Sequence, residues 1–360
     1  MSAHRIAVVM SGFPRRSETF ALGELLALEE RGLLDSVFAT KPGEAGLSQP
    51  GCERLKGKVQ VLPQGDASRQ AAFVAERLAG RRIGGVHGYF AHTPAEVAAR
   101  AAGLLGVPYG FSTHARDARK VRPRLLAERA RRAACVVACN TDVAEEILRS
   151  GAAVHLLPHG VDLRRFKPRP HRDSEELRLL AVGRLVEKKG FRVLLDAATL
   201  LDFPFRLRVV GDGPERARLS EMIEKHGLEG RVTLEGSLTH AELPEAYATS
   251  DVVVVPSVQD SAGDRDGLPN VVLEAMACAR PVVASDISAI GCAVTDGETG
   301  LLVPPGDAVA LANALRQLAA AGPELRARLG RGGRARVERD YEVGRCTERL
   351  YQLLTSVYCS

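Results

Sequence analysis

Long apolar runs are missing from this sequence of 360 residues. No stretch approaches the roughly 20 apolar residues that a helix needs to span a bilayer. Near the beginning, residues 6–10 are apolar, but this run is too short for the apolar region of a secretory signal peptide. Both absences argue against a membrane-spanning or exported protein, so we expect a cytoplasmic one.

Cysteine is sparse and shows no metal-binding spacing. The sequence holds seven cysteines, an odd number, and no CxxC pair occurs. Cys135 and Cys139 are four positions apart in an apolar run that predicts a buried strand. Small buried hydrophobic side chains explain this pattern better than a disulfide framework or a metal site. We therefore expect reduced cysteines and a chain without a metal cofactor.

A large excess of charge of one sign is also absent, because 49 lysines and arginines face 44 acidic residues, for a net charge of +5. This balance gives no reason to expect a nucleic-acid partner. Basic residues are nevertheless concentrated between positions 116 and 132. A solvated helix face is the favoured explanation, and the alternative is a site for an anionic partner, such as a phosphate-bearing acceptor or an acidic membrane surface. The basic residues of this run are Arg116, Arg119, Lys120, Arg122, Arg124, Arg129, Arg131 and Arg132.

Short apolar strands alternate with amphipathic helices in two successive series. The length of the chain suits two domains, and the alternation predicts a parallel sheet covered by helices in each. Because ligands bind outside the carboxyl ends of such strands, we expect two α/β domains of the Rossmann-like type facing a cleft. The predicted strands are 5–10, 36–40, 58–62, 83–87, 107–112, 135–139 and 154–158 in the first series, and 177–182, 205–210, 232–235, 251–255 and 281–285 in the second.

A segment rich in proline and basic residues, at positions 158–171, separates the two series and is typical of an interdomain linker. We place the first domain at residues 1–165 and the second at 166–340. Residues 341–360 predict an amphipathic helix with no strand after it, which we expect to cross back to the first domain. Near the beginning, a helix is predicted from Ser17, with that serine as its N-cap.

Two basic residues follow the first strand of the second series, in the segment 183–190. Arg184 offers a planar guanidinium and Lys189 a mobile ammonium group, and both suit the oxygens of a diphosphate. A predicted helix begins directly after them, and its N-terminal amides add donors for phosphate. Each residue alone is more often a plain surface charge, so the predicted phosphate site rests on their combination.

Two carboxylates lie at a later turn of the second series. Asp266 belongs to a loop with glycine and proline, while Glu274 lies within a predicted helix whose neighbouring residues are apolar. Carboxylates accept hydrogen bonds from sugar or ribose hydroxyls, and the backbone amides of such a loop can donate to the same ligand. For Glu274, the alternative is a buried tie between helix and loop. Between the carboxylates, the loop and the helix start include Gly267, Leu268, Pro269 and Asn270.

The first series offers two candidates at the carboxyl ends of strands. His114 follows the predicted strand 107–112, where a cleft between domains would place a ligand, although a lone histidine is usually structural. Gly12 lies in the first predicted turn of the chain and could let a ligand approach the backbone. A plain turn explains Gly12 nearly as well.

Together these motifs resemble the retaining glycosyltransferases of family 4, which have the GT-B fold. The segment 183–190 is similar to the family's donor-phosphate motif, and 159–168 is similar to its interdomain segment. Asp266 and Glu274 stand where the family has two acidic residues, seven residues apart. Further segments resemble an exopolysaccharide-type branch of the family, namely 13–20, 87–92 and 114–117.

The resemblance implies transfer of a sugar from a nucleotide diphosphate donor, with UDP-sugars as the first expectation and GDP-mannose as the second. It implies that Arg184 and Lys189 bind the diphosphate, that Glu274 binds the ribose, and that Asp266 binds the sugar together with the loop that follows it. His114 would lie near the reacting carbon. The donor-binding set is completed by Gly12, near the phosphates, and by Gly267, Leu268, Pro269 and Asn270.

Two further expectations follow from the resemblance. The first acidic position is usually glutamate in the family, and Asp266 is one methylene shorter, so the identity of the donor sugar is not carried over. Family members act without a bound metal, because fixed cations stabilise the charge that develops on the departing diphosphate. The acceptor stays open among a glycan, a lipid-linked sugar and a small molecule, and the basic run could hold the protein at a membrane surface.

Alternatives on the same scaffold are a nucleotide-sugar epimerase or hydrolase and a non-catalytic nucleotide-sugar-binding relative. The presence of Arg184, Lys189 and Glu274 favours an enzyme, since a degenerate relative should have lost some of them. A NAD-dependent dehydrogenase is disfavoured, because the first strand leads into Gly12-Phe13-Pro14 and not into a GxGxxG turn.

Overall fold

The computed structural model describes residues 4–15, 18–46, 49–170, 175–239 and 241–359, and the side chains of Thr19, Ala115 and Arg116 also lie outside the description. The chain divides into two compact units. The first contains the residues up to Gly160 together with those from Gly344 onward, and the second is Val161–Val343. Across the described ranges, no helix is both long and apolar enough to cross a membrane.

The first unit is built on a parallel sheet with seven strands: β1 Arg5–Phe13, β2 Leu34–Pro42, β3 Val59–Val61, β4 Ile83–Tyr89, β5 Tyr109–Thr113, β6 Cys135–Ala138 and β7 His155–Leu156. The helices described between these strands are α1 Thr19–Glu30, α2 Cys52–Leu55, α3 Ala67–Leu78, α4 Thr93–Leu105, α5 Ala115–Arg119, α6 Pro123–Arg132 and α7 Thr141–Leu148. The strand order is β3-β2-β1-β4-β5-β6-β7. Open α/β sheets bind ligands where this order changes direction, which is between β1 and β4 here.

The apolar run at the start of β1 explains its central place in the sheet. Ile6, Ala7, Val8 and Val9 are completely buried, as expected for a strand covered on both faces. The strand continues to Phe13, so the prediction that Gly12 lies in a turn is wrong. Gly12 pairs with β2, and a Cβ atom on it would lie 2.9 Å from the backbone oxygen of Pro42, so close packing of the two strands accounts for the glycine. The predicted N-cap Ser17 lies outside the described residues.

The second unit is built on a parallel sheet with six strands: β8 Leu177–Val182, β9 Phe205–Val210, β10 Val232–Gly236, β11 Val252–Val255, β12 Val282–Ser285 and β13 Gly300–Val303. Its helices are α8 Phe191–Thr199, α9 Arg216–Lys225, α10 Leu243–Ala248, α11 Asn270–Ala277, α12 Ile290–Ala293, α13 Ala308–Ala320 and α14 Gly322–Asp340. The strand order β10-β9-β8-β11-β12-β13 changes direction between β8 and β11. The sequence predicted five of these strands and missed β13.

The last helix, α15 Val343–Tyr358, corresponds to the helix predicted at 341–358 and enters the first unit. Leu350, Leu354 and Tyr358 are buried in the same core as the apolar side chains of β1. The hydroxyl of Tyr358 also lies 3.1 Å from Nδ1 of the buried His87 in β4. A side chain of the first unit's central sheet is therefore fixed by the end of the chain.

Candidate functional site

Two lysines and two carboxylates meet beyond the ends of β8 and β11 in the second unit. Lys189 Nζ lies 2.5 Å from Asp266 Oδ2, and Lys188 Nζ lies 3.1 Å from Asp266 Oδ1. Lys188 Nζ is also 3.1 Å from Asp264 Oδ2. Burial alone would raise the pKa of Asp266, but Lys189 and Lys188 lower it below its usual range, so the carboxyl group is ionised. The structure thus brings the predicted Lys189 and Asp266 together.

Arg184 lies on the same turn and differs from the two lysines in having no ionic partner. Its side chain is exposed, and no acceptor for its guanidinium is found in the part of the chain that the structure describes. A guanidinium presents planar pairs of N–H donors that match phosphate oxygens. Arg184 is therefore available for an anionic ligand without the loss of an existing ion pair.

Close backbone packing holds these turns in place. Gly190, directly before α8, has a φ of +68°, and a Cβ atom there would lie 1.7 Å from the backbone oxygen of Pro256. A Cβ atom on Gly211, after β9, would lie 1.8 Å from the backbone oxygen of Gly183. Both positions require glycine, because any side chain would separate the turns after β8, β9 and β11.

Glu274 lies on α11 and is held by a tyrosine that the sequence did not reveal. The hydroxyl of Tyr247, a buried residue of α10, donates a hydrogen bond of 2.7 Å to Glu274 Oε2. Burial raises the pKa of Glu274, and the hydrogen bond with Tyr247 and the charges of Arg165 and Lys189 oppose that shift. The arrangement supports both interpretations of Glu274, since it ties two helices together and leaves Oε1 as an acceptor.

The loop between the two carboxylates has backbone N–H groups that are available to a ligand. Within the described ranges, the backbone N–H groups of Gly267 and Leu268 have no hydrogen-bond partner. Pro269 is the N-cap of α11, and the exposed Asn270 is its first residue. Free amides beside a carboxylate can bind a ligand that carries both hydroxyl and anionic oxygen atoms.

In the first unit, His114 directly follows β5 and is enclosed by rings. The centroids of Phe20 and Phe90 each lie 4.8 Å from that of His114, and the His159 centroid lies 4.9 Å away. Neither nitrogen of His114 has a hydrogen-bond partner among the described residues. Asp117 accepts hydrogen bonds from the backbone N–H groups of His114, at 2.6 Å, and of Ala91, at 2.5 Å, and so fixes the turn.

Glu24 and His159 form a part-buried ion pair beside His114. Glu24 Oε1 lies 2.7 Å from His159 Nδ1, and the Tyr89 hydroxyl donates a hydrogen bond of 2.6 Å to Glu24 Oε2. Burial alone would lower the pKa of His159, but the Glu24 carboxylate raises it to about 10. Burial alone would raise the pKa of Glu24, but His159 and Tyr89 bring it below its usual range. Both partners are therefore charged at neutral pH.

A third side chain completes this group. Cys139, at the end of β6, His114 and His159 present ligand atoms that all lie within 4.8 Å of one another. The sequence interpretation of Cys139 as a small buried hydrophobic residue missed this neighbourhood. Glu24 was missed as well, although its position four residues after Phe20 on α1 puts a carboxylate on the same helix face as an aromatic side chain.

The basic residues at positions 116–132 do not share one environment in the structure. Arg119 forms an ion pair with Asp142. Arg129 is 8% exposed and donates hydrogen bonds to Glu96 Oε2 at 2.7 Å and to the backbone oxygen of Ala91 at 2.8 Å. The side chain of Arg116 lies outside the description. The favoured explanation of one solvated helix face is therefore wrong for Arg129, and the exposed cations are Lys120, Arg122, Arg124, Arg131 and Arg132.

Two family models match the chain. The model described as Glycosyltransferase Family 4 matches residues 25–165, and the model described as Glycosyl transferases group 1 matches residues 176–321. WcaL of Escherichia coli (strain K12), named for colanic acid biosynthesis, is 35% identical over 202 residues, which cover 55% of this chain and 50% of WcaL. D-inositol 3-phosphate glycosyltransferase of Paenarthrobacter aurescens is 29% identical over 323 residues, which cover 77% of this chain and 78% of that protein. The chain thus spans about half the length of WcaL.

A solved structure resembles the whole fold. HepE of Anabaena in complex with UDP matches with a TM-score of 0.83 and 20% identity, covering 98% of this chain and 100% of HepE. At this identity, the likeness establishes the fold. It confirms the predicted architecture of two Rossmann-like parallel-sheet domains.

Proposed function

The chain belongs to glycosyltransferase family 4, and on this premise we propose that it transfers a sugar from a nucleotide diphosphate donor to an acceptor with retention of the anomeric configuration. The observation that carries the proposal is the meeting of Lys189 and Asp266 on the turn that also carries Arg184, which has no ionic partner among the described residues. Cations for a diphosphate and a carboxylate for sugar hydroxyls are the two kinds of group that a nucleotide-sugar requires.

In the proposed donor complex, Arg184 and Lys189 bind the diphosphate. Asp266 and the free amides of Gly267 and Leu268 receive the sugar, while Glu274 accepts from a ribose hydroxyl through Oε1. Tyr247 keeps the carboxyl group of Glu274 in place for that contact. The two carboxylates are held before the donor arrives, Glu274 by Tyr247 and Asp266 by the two lysines, which lowers the cost of reorganisation.

The proposed reaction is a front-side displacement at the anomeric carbon. The bond from that carbon to the diphosphate oxygen breaks, and the acceptor oxygen forms a bond to the same face. A diphosphate oxygen takes the acceptor proton, so the protein need not supply a base. Arg184 and Lys189 stabilise the charge that grows on the leaving diphosphate, and we propose that no metal ion is required. Accordingly, EDTA should leave turnover unchanged.

For the donor, we propose a UDP-sugar first and GDP-mannose second. The structural likeness to HepE, which was crystallised with UDP, supports uridine as the first choice. Asp266 is shorter than the glutamate usual in the family, so the sugar itself is to be determined by experiment.

The acceptor is assigned to the first unit, near His114. The names of similar proteins refer to polysaccharide biosynthesis and to a phosphorylated inositol, which supports a glycan, a lipid-linked sugar or a phosphorylated small molecule as acceptor. We propose a cytoplasmic protein whose exposed cations on and beside α6 can hold it at an anionic membrane surface.

A donor screen tests the proposal. The full chain is incubated with UDP-, GDP-, ADP- and dTDP-sugars, and thermal shifts and release of the nucleoside diphosphate are recorded. The sugars of one nucleotide should stabilise the chain against thermal unfolding. The chain should also release the nucleoside diphosphate slowly from them in the absence of an acceptor, because water takes the place of the acceptor. Isomerised donor would indicate an epimerase, and binding without any turnover would indicate a non-catalytic relative.

A further inference from the structure

A small cavity in the first unit is lined by several side chains that carry metal-ligating atoms. Its volume is about 10 Å³, and these side chains are His114, Cys139, His159, Glu24 and Cys346. This is about the space that one water molecule or one ion occupies. The nitrogen and sulfur atoms of His114, Cys139 and His159 lie within 4.8 Å of one another.

The two ring nitrogens of His114 lack the hydrogen bonds that buried polar atoms normally have. Both are buried and neither has a hydrogen-bond partner in the described part of the chain, although Nδ1 lies 3.6 Å from Asp117 Oδ1. Nε2 of His159 is buried at the same cavity, and the His159 ring interacts with Cys139. Most buried polar side-chain atoms in proteins are hydrogen-bonded, so the His114 nitrogens call for an occupant of the cavity. Candidates are an ordered water molecule and a metal ion.

Glu24 holds His159 in the orientation that a metal site requires. Its carboxylate holds Nδ1 of His159 at 2.7 Å, which leaves Nε2 as the nitrogen directed to a ligand. Metal-binding histidines usually have this arrangement, with the second nitrogen hydrogen-bonded to a carboxylate that fixes the ring and raises its basicity. The Tyr89 hydroxyl in turn holds Glu24 at 2.6 Å, so the supporting shell is itself fixed.

We propose that His114, Cys139 and His159 bind one zinc ion. Imidazole and thiolate ligands favour zinc over magnesium and calcium, and three protein ligands leave a fourth position for water or a bound ligand. Zinc–ligand bonds of about 2.0 to 2.3 Å require the three side chains to draw together. Because the His114 ring is packed against Phe20, Phe90 and His159, this requires small shifts of all three ligands.

The site goes beyond the proposed function and does not serve catalysis. Zinc bound to His114 would occupy the residue placed near the acceptor, so zinc should inhibit sugar transfer. The expected inhibition of sugar transfer rests on the proposed function, whereas zinc binding itself does not. Zinc also has to displace a proton from His159, and Glu24 then offsets part of the added positive charge.

Cobalt provides a direct test, because a thiolate bound to Co²⁺ gives a charge-transfer band in the near ultraviolet. The full chain, treated with EDTA and then freed of it, is titrated with Co²⁺ under reducing conditions. We expect the band to saturate at one equivalent, with visible bands typical of tetrahedral cobalt, and one equivalent of Zn²⁺ to abolish both. Absence of the near-ultraviolet band in the wild-type chain would overturn the proposal and leave water as the occupant.

Variants locate the site. Cys139→Ser should remove the near-ultraviolet band, and Glu24→Gln should weaken zinc binding by about 10- to 100-fold through loss of the supporting carboxylate. Cys292→Ser and His155→Ala, which change exposed residues, are the matched controls and should behave like the wild type. Circular dichroism verifies that each variant is folded. A band that persists in Cys139→Ser, or disappears in Cys292→Ser, would refute the assignment even if sugar transfer is confirmed.

Discussion

The ammonium group of Lys189 lies 2.5 Å from Oδ2 of Asp266, so the cation proposed for the donor diphosphate is paired with the carboxylate proposed for the donor sugar. Lys188 holds the other oxygen of the same carboxylate at 3.1 Å. A donor that places phosphate at Lys189 competes with Asp266 for the ammonium group. The carboxylate then gains freedom to accept from sugar hydroxyls, which couples phosphate binding to sugar binding.

This relationship predicts that Asp266→Asn affects diphosphate binding and sugar transfer differently. Binding of the nucleoside diphosphate alone should be unchanged or tighter, because Lys189 loses a competing partner. Transfer should fall by about 10- to 100-fold, because a hydrogen bond to a charged group is worth about 1.5 to 3 kcal/mol. Calorimetric titration and steady-state rates measure the two effects, with the exposed Asp286→Asn as control. Loss of diphosphate binding in Asp266→Asn would show that Asp266 organises the phosphate site instead.

The exposed cations at α6 should draw in an anionic acceptor or membrane. Reversal of Lys120, Arg122 and Arg124 to glutamate is expected to raise the KM for such an acceptor, mainly at low ionic strength, while donor KM hardly changes. Arg119 and Arg129 are left intact because they form ion pairs within the fold.

A reversal of equal charge elsewhere in the same unit controls for net charge. Lys56, Arg69 and Arg82 are exposed and suit this purpose. Co-sedimentation with vesicles containing anionic lipid provides a second readout. If both triple variants behave alike, or if salt has no effect, the cations on and beside α6 are solvated charges without an anionic partner.

The ion pair of Glu24 and His159 predicts a loss of stability at alkaline pH. The folded-state pKa of His159 is raised to about 10, above an unfolded value of about 6.5. The folded chain therefore binds the extra proton, and its stabilisation is complete below pH 6.5 and is lost progressively as the pH rises towards 10. A tenfold difference in proton affinity between the folded and unfolded chain corresponds to about 1.4 kcal/mol, so the free energy of unfolding should decrease by on the order of 1 to 3 kcal/mol.

Urea denaturation between pH 6.5 and 9 measures this effect. Glu24→Gln should flatten the pH dependence, because the partner that raises the pKa of His159 is gone. Glu29→Gln on the same helix is the control, since it removes only a more exposed ion pair with Arg54. Equal pH slopes in the wild type and in Glu24→Gln would mean that His159 does not hold the additional proton.

The sequence predicted the parts of the fold that depend on local pattern. Continuous apolar runs identified β8 and β11, and the residues that follow them, Arg184 and Asp266, were placed at the carboxyl ends of strands for that reason. The four-residue β13, with the sequence Gly-Leu-Leu-Val, gave too short a pattern. Gly12 was assigned to a turn because a glycine after an apolar run suggests one, whereas the strand continues and the glycine serves packing against β2.

Contacts between distant segments could not be predicted. Glu24 and His159 are 135 positions apart, and Lys188 and Asp264 are 76 positions apart. Their pairing depends on how the sheet orders its strands and how the following loops turn, and a single sequence contains no pattern for either. The same limit explains why Cys139 was interpreted alone and not together with two histidines.

The roles of Arg184 and Lys189 are the central claim, and release of nucleoside diphosphate from the preferred donor tests it most directly. Wild type, Arg184→Ala, Lys189→Ala and the control Lys225→Ala, which changes an exposed residue of α9, are compared at saturating acceptor. Arg184→Ala and Lys189→Ala should each lower turnover by about a hundredfold while keeping the fold, since each removes roughly 3 kcal/mol of transition-state stabilisation. The Lys225→Ala rate should equal that of the wild type. Near wild-type rates in both Arg184→Ala and Lys189→Ala would contradict the assignment of the phosphate site.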